Sequence, residues 1–264
     1  MNKTLQILDL LARDRNVFTA SEFREHFGGS PTNAANALSR AVRDGLVERV
    51  AHGQYAIREV GRLSTHSSTE DLLLALAPIL SARDHRIAYR TALESHSLLL
   101  YPQSDVQVAL TSPTRTRQVS GRSFRQIIEV PHYLSIGAME VAHGCRASDL
   151  PRTLLDAARR PDLIGGVDTT VAALRLSGQV DADTIVDYAE RLQSGAALRR
   201  LGSVAVAAGR DDIATGIHSK MPVPATPLPV DPSSSSDQVV WVDPDWNVAW
   251  DSMSADLIGM RVGA

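Results

Sequence analysis

The chain has 264 residues, 44% hydrophobic and 22% charged, which suffices for one large core or two domains and is too apolar for a disordered chain. A formal net charge of -3 at pH 7 excludes a protein that is basic all over, so any nucleic-acid role must come from a local patch. The single cysteine, Cys145, excludes an internal disulfide framework and a cysteine-rich metal site, and it fits a reducing compartment.

Leu5, Leu8, Leu11 and Ala12 recur at helical spacing, so residues 3 to 13 are expected to form a first helix. Lys3, Gln6 and Asp9 interrupt this segment and no small-residue cleavage site follows, which argues against a signal peptide. The longest apolar run, Leu72 to Leu80, is too short to span a bilayer, so a soluble, cytoplasmic protein is expected. Thr19-Ala-Ser-Glu22 has the form of a capping box, and Phe23 and Phe27 give a short second helix that ends at Gly28-Gly29. Ser30 is a good N-cap and Pro31 suits the first helical position, where its missing amide proton costs nothing. A third helix then runs to about Asp44 and stops at Gly45. "LVERV" and "QYAI" follow as short strands joined across Ala51-His52-Gly53.

Three helices and a hairpin in this order predict a winged helix-turn-helix over residues 1 to 60. At about 100° per residue, the third helix places Ala34, Ala35, Leu38, Ala41 and Val42 on one side and Asn33, Asn36, Arg40 and Arg43 on the other. Asn pairs bidentately with adenine, Arg with guanine, and both hold phosphates, so Thr32, Asn33, Asn36, Arg40 and Arg43 are the expected DNA-reading set. Arg49, His52 and Gln54 on the wing are placed to reach the backbone or the minor groove. Residues 1 to 62 carry a net charge of only +2, so binding would depend on placement rather than bulk attraction.

Residues 58 to 68, "REVGRLSTHSS", lack apolar periodicity and are the candidate linker. Beyond it a mixed α+β domain is expected over residues 69 to 264. Leu72, Leu73, Leu76 and Ile79 mark a buried helix starting near Ser68-Thr69, and Tyr89 to Leu98 marks another. "DVQVALT", "RQIIEV" and "YLSIGAM" are strand candidates. Helices are then expected over Leu150 to Arg159, Val167 to Leu176, Ile185 to Leu192 and Ala196 to Ala207. The prolines of residues 222 to 232 predict extended chain, "SSSS" a loop, and "VVWV" with "NVAW" a closing hairpin.

Residues 111 to 125, "TSPTRTRQVSGRSFR", hold Arg115, Arg117, Arg122 and Arg125 and no acid. A solvated loop is one reading; a surface for RNA, DNA or an acidic partner is the other. The eight histidines form no HExxH and no pairing with Cys145, so no metal site is expected. GxSxG, GxxxxGK[ST] and GxGxxG motifs are absent, and the only lysines are Lys3 and Lys220, so no catalytic residue and no cofactor is expected.

The succession "DGLVERVAHGQYAI", "AYRTALESHSLLL", "DVQVALTS", "TLLDAARRPDLIGGVDTTVAAL" and "LPVDPSSSSDQVVWVDPDWNVAWD" resembles the AbiEi-type antitoxins over nearly the full chain. The resemblance implies a winged-helix repressor that binds inverted repeats in the promoter of its own operon as double-stranded DNA. It also implies a carboxy-terminal domain that counteracts a nucleotidyltransferase-like toxin, with or without stable contact. Members often carry glycine after the histidine of the second block, where this chain has Ser97 after His96. Two other classes stay open on the residues alone: a ligand-responsive repressor with a carboxy-terminal sensor domain, and an enzyme fused to a DNA-binding module.

Overall fold

The structure is a computed structural model that describes residues 7, 17–28, 30–43, 46–51, 53–57, 69–99, 104–221, 226–233 and 239–258. The linker expected at 58 to 68, His52 and the helix expected over 3 to 13 lie outside the described residues, apart from Ile7, which is helical and buried. The architecture is mixed α+β.

The amino-terminal unit holds the Ala20–Phe27 and Pro31–Arg43 helices and the strands β1 (Val17–Thr19), β2 (Val47–Ala51) and β3 (Gln54–Ile57). The hairpin has a third member: β1 pairs antiparallel with β3, giving the order β1-β3-β2. Three residues are too few to show a period, and the expected two-stranded wing is corrected accordingly. Phe18, Phe23, Ala37, Leu38, Ala41 and Val47 close the core of this unit. Phe18 stacks on Tyr55 at 5.8 Å and Phe23 on Phe27 at 5.7 Å.

The larger unit is built on a six-stranded mixed sheet of order β6-β7-β5-β4-β9-β8. Its strands are β4 (His85–Ile87), β5 (Asp105–Leu110), β6 (Gln118–Val119), β7 (Arg122–Ile128), β8 (Ala138–Glu140) and β9 (Arg146–Ser148). The Thr69–Leu80 helix covers one face, where Leu72, Leu76, Val106, Val108 and Phe124 form a core that also takes in Val17 from β1. The Leu150–Arg159, Val167–Leu176, Ala182–Arg191, Gly195–Ala208 and Asp211–His218 helices form the second, larger core with the other face. "YLSIGAM" is not one strand: Pro131 opens a short Pro131–Ser135 helix, Gly137 takes φ +64, and the strand begins only at Ala138, as Ala138–Glu140. At the end of the Tyr89–Ser95 helix Ser97 takes φ +59, so a serine here adopts the backbone that glycine adopts without strain.

The chain ends on β10 (Leu228–Pro229), β11 (Val239–Asp243) and β12 (Val248–Asp251), with β11 and β12 antiparallel as the expected hairpin. This sheet docks on the Gly195–Ala208 helix. Arg199 donates to the carbonyls of Trp246, Thr226 and Asn247, Ser203 donates to Asp243, and Trp250 Nε1 donates to Ser203. A Cβ on Gly202 would sit 2.1 Å from the Trp246 ring, so no other residue lets the indole lie this close.

The two halves of the large unit meet at a buried charge cluster. The Arg86 guanidinium on β4 donates to Glu129 at 2.9 Å, Asp156 at 2.8 Å and Ser148 Oγ at 2.6 Å. Arg152 reaches Asp156 at 3.0 Å and donates to the carbonyls of Tyr133 and Ile136, while the Tyr89 hydroxyl donates to Glu129 at 2.6 Å. Burial alone would raise the Asp156 carboxyl, but Arg86, Arg152 and Arg159 outweigh it and hold the group below its usual 3.8. Removing one member leaves an uncompensated buried charge, so Asp156→Asn is expected to cost about 3–5 kcal/mol at neutral pH. Because the folded value is depressed, the contribution of Asp156 is fully present above pH 3.8 and is lost as pH falls through the lower value. Urea denaturation of both proteins across the acid limb checks this: the gap between them should be widest near neutrality and should narrow below pH 3.8.

Candidate nucleic-acid interface

The Pro31–Arg43 helix is set by its entry. Thr19 and Glu22 close a capping box on the preceding helix, with Thr19 N–H donating to Glu22 Oε2 at 2.7 Å and Glu22 N–H to Thr19 Oγ1 at 3.1 Å. Gly28 ends that helix at φ +66, and Ser30 Oγ then accepts from the Asn33 N–H at 3.2 Å, which is the N-cap expected from the sequence. The two helices pack against each other.

Ala34, Ala37, Leu38 and Ala41 are the buried residues of the second helix. The apolar stripe is therefore turned from the expected one: Ala37 is inside it, while Ala35 and Val42 lie outside and are exposed. The spacing 34, 37, 38, 41 follows one face at the helical period, and residues 35 and 42 fall on its far flank. Thr32, Asn33, Asn36, Arg40 and Arg43 are all exposed and span an arc of about 100° opposite that stripe. Arg40 Nε donates to the Asn36 carbonyl at 3.3 Å, which lays the guanidinium along the helix surface. The helix contains no carboxylate and its first turn is free of acid, so its positive N-terminal end faces solvent with no competing anion of its own.

On the wing, Arg49 is exposed and sits opposite Tyr55, next to a bulge between Arg49 and Ala51. Gln54 is half-buried and pairs with Thr19 of β1. In the larger unit, the four arginines of residues 111 to 125 do not act together. Arg115 and Arg117 are exposed on the loop before β6, whereas Arg122 forms a two-pronged pair with Glu94 at 3.1 and 2.5 Å and also donates to the Asp105 carbonyl. Arg125 lies opposite Gln107 on the strand, on the face away from Phe124. Arg49 and Arg83 complete a cleft of about 850 Å³ with Arg115 and Arg117; Arg83 is a member that sequence reasoning did not single out. Its only signal was position, immediately after a helix that ends against the basic loop.

Cys145 is buried, and burial pushes its thiol up to about 11, which leaves it protonated and unreactive at neutral pH. Among the described residues no cluster of three histidine, cysteine or acidic side chains could hold a metal, and no helix is long and apolar enough to cross a membrane.

Residues 5–58, which include the capped helix pair and the wing, match the family described as transcriptional regulator, AbiEi antitoxin. The resemblance read from the sequence is thus borne out over that segment. A solved structure, the RV2827C protein from Mycobacterium tuberculosis, shares the fold over 94% of this chain and 90% of that chain, with a TM-score of 0.65 at 17% identity. No curated protein sequence matches.

The cap is the local device that aims the polar arc. Ser30→Ala is expected to remove about 1 kcal/mol of stability, read from the urea midpoint at unchanged slope, with Ser30→Asp restoring it.

Proposed function

We propose that the protein is a DNA-binding antitoxin that represses its own operon. In this reading residues 1 to 60 bind inverted repeats in its promoter, and residues 69 to 264 counteract a nucleotidyltransferase-like toxin. The observation that carries the DNA-binding half is the exposed arc of Thr32, Asn33, Asn36, Arg40 and Arg43 on a helix without a single carboxylate. Amides and guanidinium groups at this spacing match the acceptors and donors of base edges, and the same groups hold phosphates that fix the register. A helix that served only as a solvated face would gain nothing from excluding Asp and Glu, which are good surface residues and favourable in a first turn.

The match to a family of antitoxin regulators supports the same assignment for the amino-terminal unit. Toxin neutralisation then falls to the larger unit, whose fold occupies the rest of the chain. Arg49, with His52 and Gln54, has the role of positioning the wing on the backbone.

Arg40→Ala is expected to cost about 1–3 kcal/mol on the promoter site, with relaxed preference at one base position. Electrophoretic shifts with systematically altered promoter duplexes measure both effects. Unchanged affinity and preference in both Arg40→Ala and Asn36→Ala, each folded, would remove the helix from DNA reading.

A further inference from the structure

The carboxy-terminal sheet guards its two edges unequally. β10, at one edge, is Leu228–Pro229, a strand of two residues whose proline has no amide proton to offer. β11, at the other, reads Val-Val-Trp-Val-Asp, with neither proline nor a cation. Among the described residues β12 is the strand that pairs with β11, and no backbone hydrogen bond from another segment reaches Val239 to Asp243. The register shift between Val239 and Trp241 leaves Val240 as the extra residue, without a partner across the ladder.

The outer face of the strand is apolar as well. Trp241 lies opposite Trp250, whose Nε1 donates to Ser203 on the Gly195–Ala208 helix, so this pair faces inward. Alternation then turns Val242, Ala249 and Pro229 outward in one row across the three strands. Val239, Val240 and Val242 are 41%, 49% and 38% exposed, a group on one strand rather than scattered single residues. The surrounding charge has one sign. From Asp231 to Met260 the sequence holds six aspartates and no lysine, arginine or histidine. Asp237 and Asp243 bracket the apolar run in sequence, Asp245 is exposed in the turn to β12, and Asp256 is exposed beyond the end of β12. A second copy would bring the same carboxylates to the seam and be repelled, whereas a strand of opposite charge is attracted.

We infer that the β11 edge is a docking site for an extended segment of another protein, one that carries valine-like side chains at alternate positions between lysines or arginines and adds to the sheet as a further strand. Main-chain hydrogen bonds along the open edge supply affinity, the apolar row receives alternate side chains, and the aspartates select the basic flanks. The strand is held ready for this. Asp243 accepts from Ser203 Oγ at 2.6 Å and from the N–H groups of Asp245 and Trp246, and Gly202 lets the Trp246 ring seat against the helix. The edge is thus ordered before a partner arrives, and little ordering entropy is lost on its side. This sheet is separate from the six-stranded one, and the inference stands whether or not the Pro31–Arg43 helix reads DNA.

The probe is a synthetic peptide of alternating valine and threonine with lysines at both ends, titrated into the full chain and followed by calorimetry and amide hydrogen exchange. The wild type binds it, and exchange slows in Val239–Asp243 but not in the wing. A peptide with the same core and glutamates at both ends does not bind. Val240→Lys, at an exposed bulge position, keeps the melting temperature and weakens binding about tenfold or more. Asp245→Asn combined with Asp256→Asn, both exposed, weakens binding and flattens its dependence on salt. Absence of protection in β11, equal binding of the glutamate-flanked peptide, or unchanged affinity in either variant overturns the inference. Sedimentation of the chain alone tests a different occupant: a dimer that Val240→Lys dissociates gives the edge to a second copy and overturns it. Peptide binding that appears only after removal of residues 259–264 gives the edge to the chain's own end, with the same consequence.

Discussion

A guanidinium group with no exposure at the centre of the large unit is the constraint on which its arrangement depends. Arg86 on β4 is gripped by Glu129 just after β7, by Ser148 at the end of β9 and by Asp156 on the helix that follows, so one side chain ties three places in the sheet to the helical layer. Taking such a charge out of water costs several kcal/mol, and the cost is recovered only if its donors find partners at good geometry. Nη1 and Nη2 do so at 2.6 to 2.9 Å, while Nε is buried without a hydrogen bond among the described residues. Arg152 extends the network by donating to the carbonyls of Tyr133 and Ile136, beside the turn at Gly137, where a Cβ would lie 2.5 Å from that of Arg152. An apolar cluster of the same volume would hold the layers together but would tolerate sliding. Directed charge pairs define one register between sheet and helices.

That register has a consequence at the opposite edge of the sheet. β5 and β7 pair in parallel through six residues, and the loop carrying Arg115 and Arg117 hangs between β5 and β6, clamped by Gln126 from β7. On the covered face Val17 of β1 enters the core made by the Thr69–Leu80 helix and the sheet. The wing is consequently anchored by an apolar contact on the strand next to it, and its outer strand β2 comes to lie along β6. Placement of the basic loop beside the wing follows from packing on both sides of the cleft.

Legibility in the sequence followed the range of the interaction involved. The capping box at Thr19 and Glu22, the Ser30 cap and the helices at Leu150–Arg159 and Val167–Leu176 rest on neighbours within one or two turns, and each was readable from a short window. β1, β4 and β9 have three residues each, too short to display alternation, and they exist because strands distant in sequence supply partners: β3 for β1, β5 for β4, and β4 for β9. The charge cluster was invisible because Arg86 and Asp156 are 70 residues apart. The same limit applies to the candidate site. A run of four arginines without an acid looks uniform in sequence, yet Glu94, 28 positions upstream, neutralises Arg122, and strand alternation turns Arg125 away. Arg83 joined the group only through the way the chain packs.

The overall charge of -3 is compatible with a surface that attracts phosphate because carboxylates of this chain are spent where they stand. Glu129 and Asp156 are buried against arginines; Glu94, Asp162, Asp187 and Asp212 each hold an arginine at 2.5 to 3.1 Å. A paired acid projects little field beyond its partner, and at physiological salt unpaired charges are screened beyond about 8 Å. What an approaching duplex meets is therefore set by the nearest side chains. Within the Pro31–Arg43 helix and among the described residues that line the cleft, the polar side chains are amides, hydroxyls and guanidinium groups, and none is acidic. On the proposed DNA-binding reading, a net-acidic protein built in this way would gain selectivity from its sign: other faces would offer a polyanion no general attraction, which would favour the orientation in which the Pro31–Arg43 helix and the wing face the duplex.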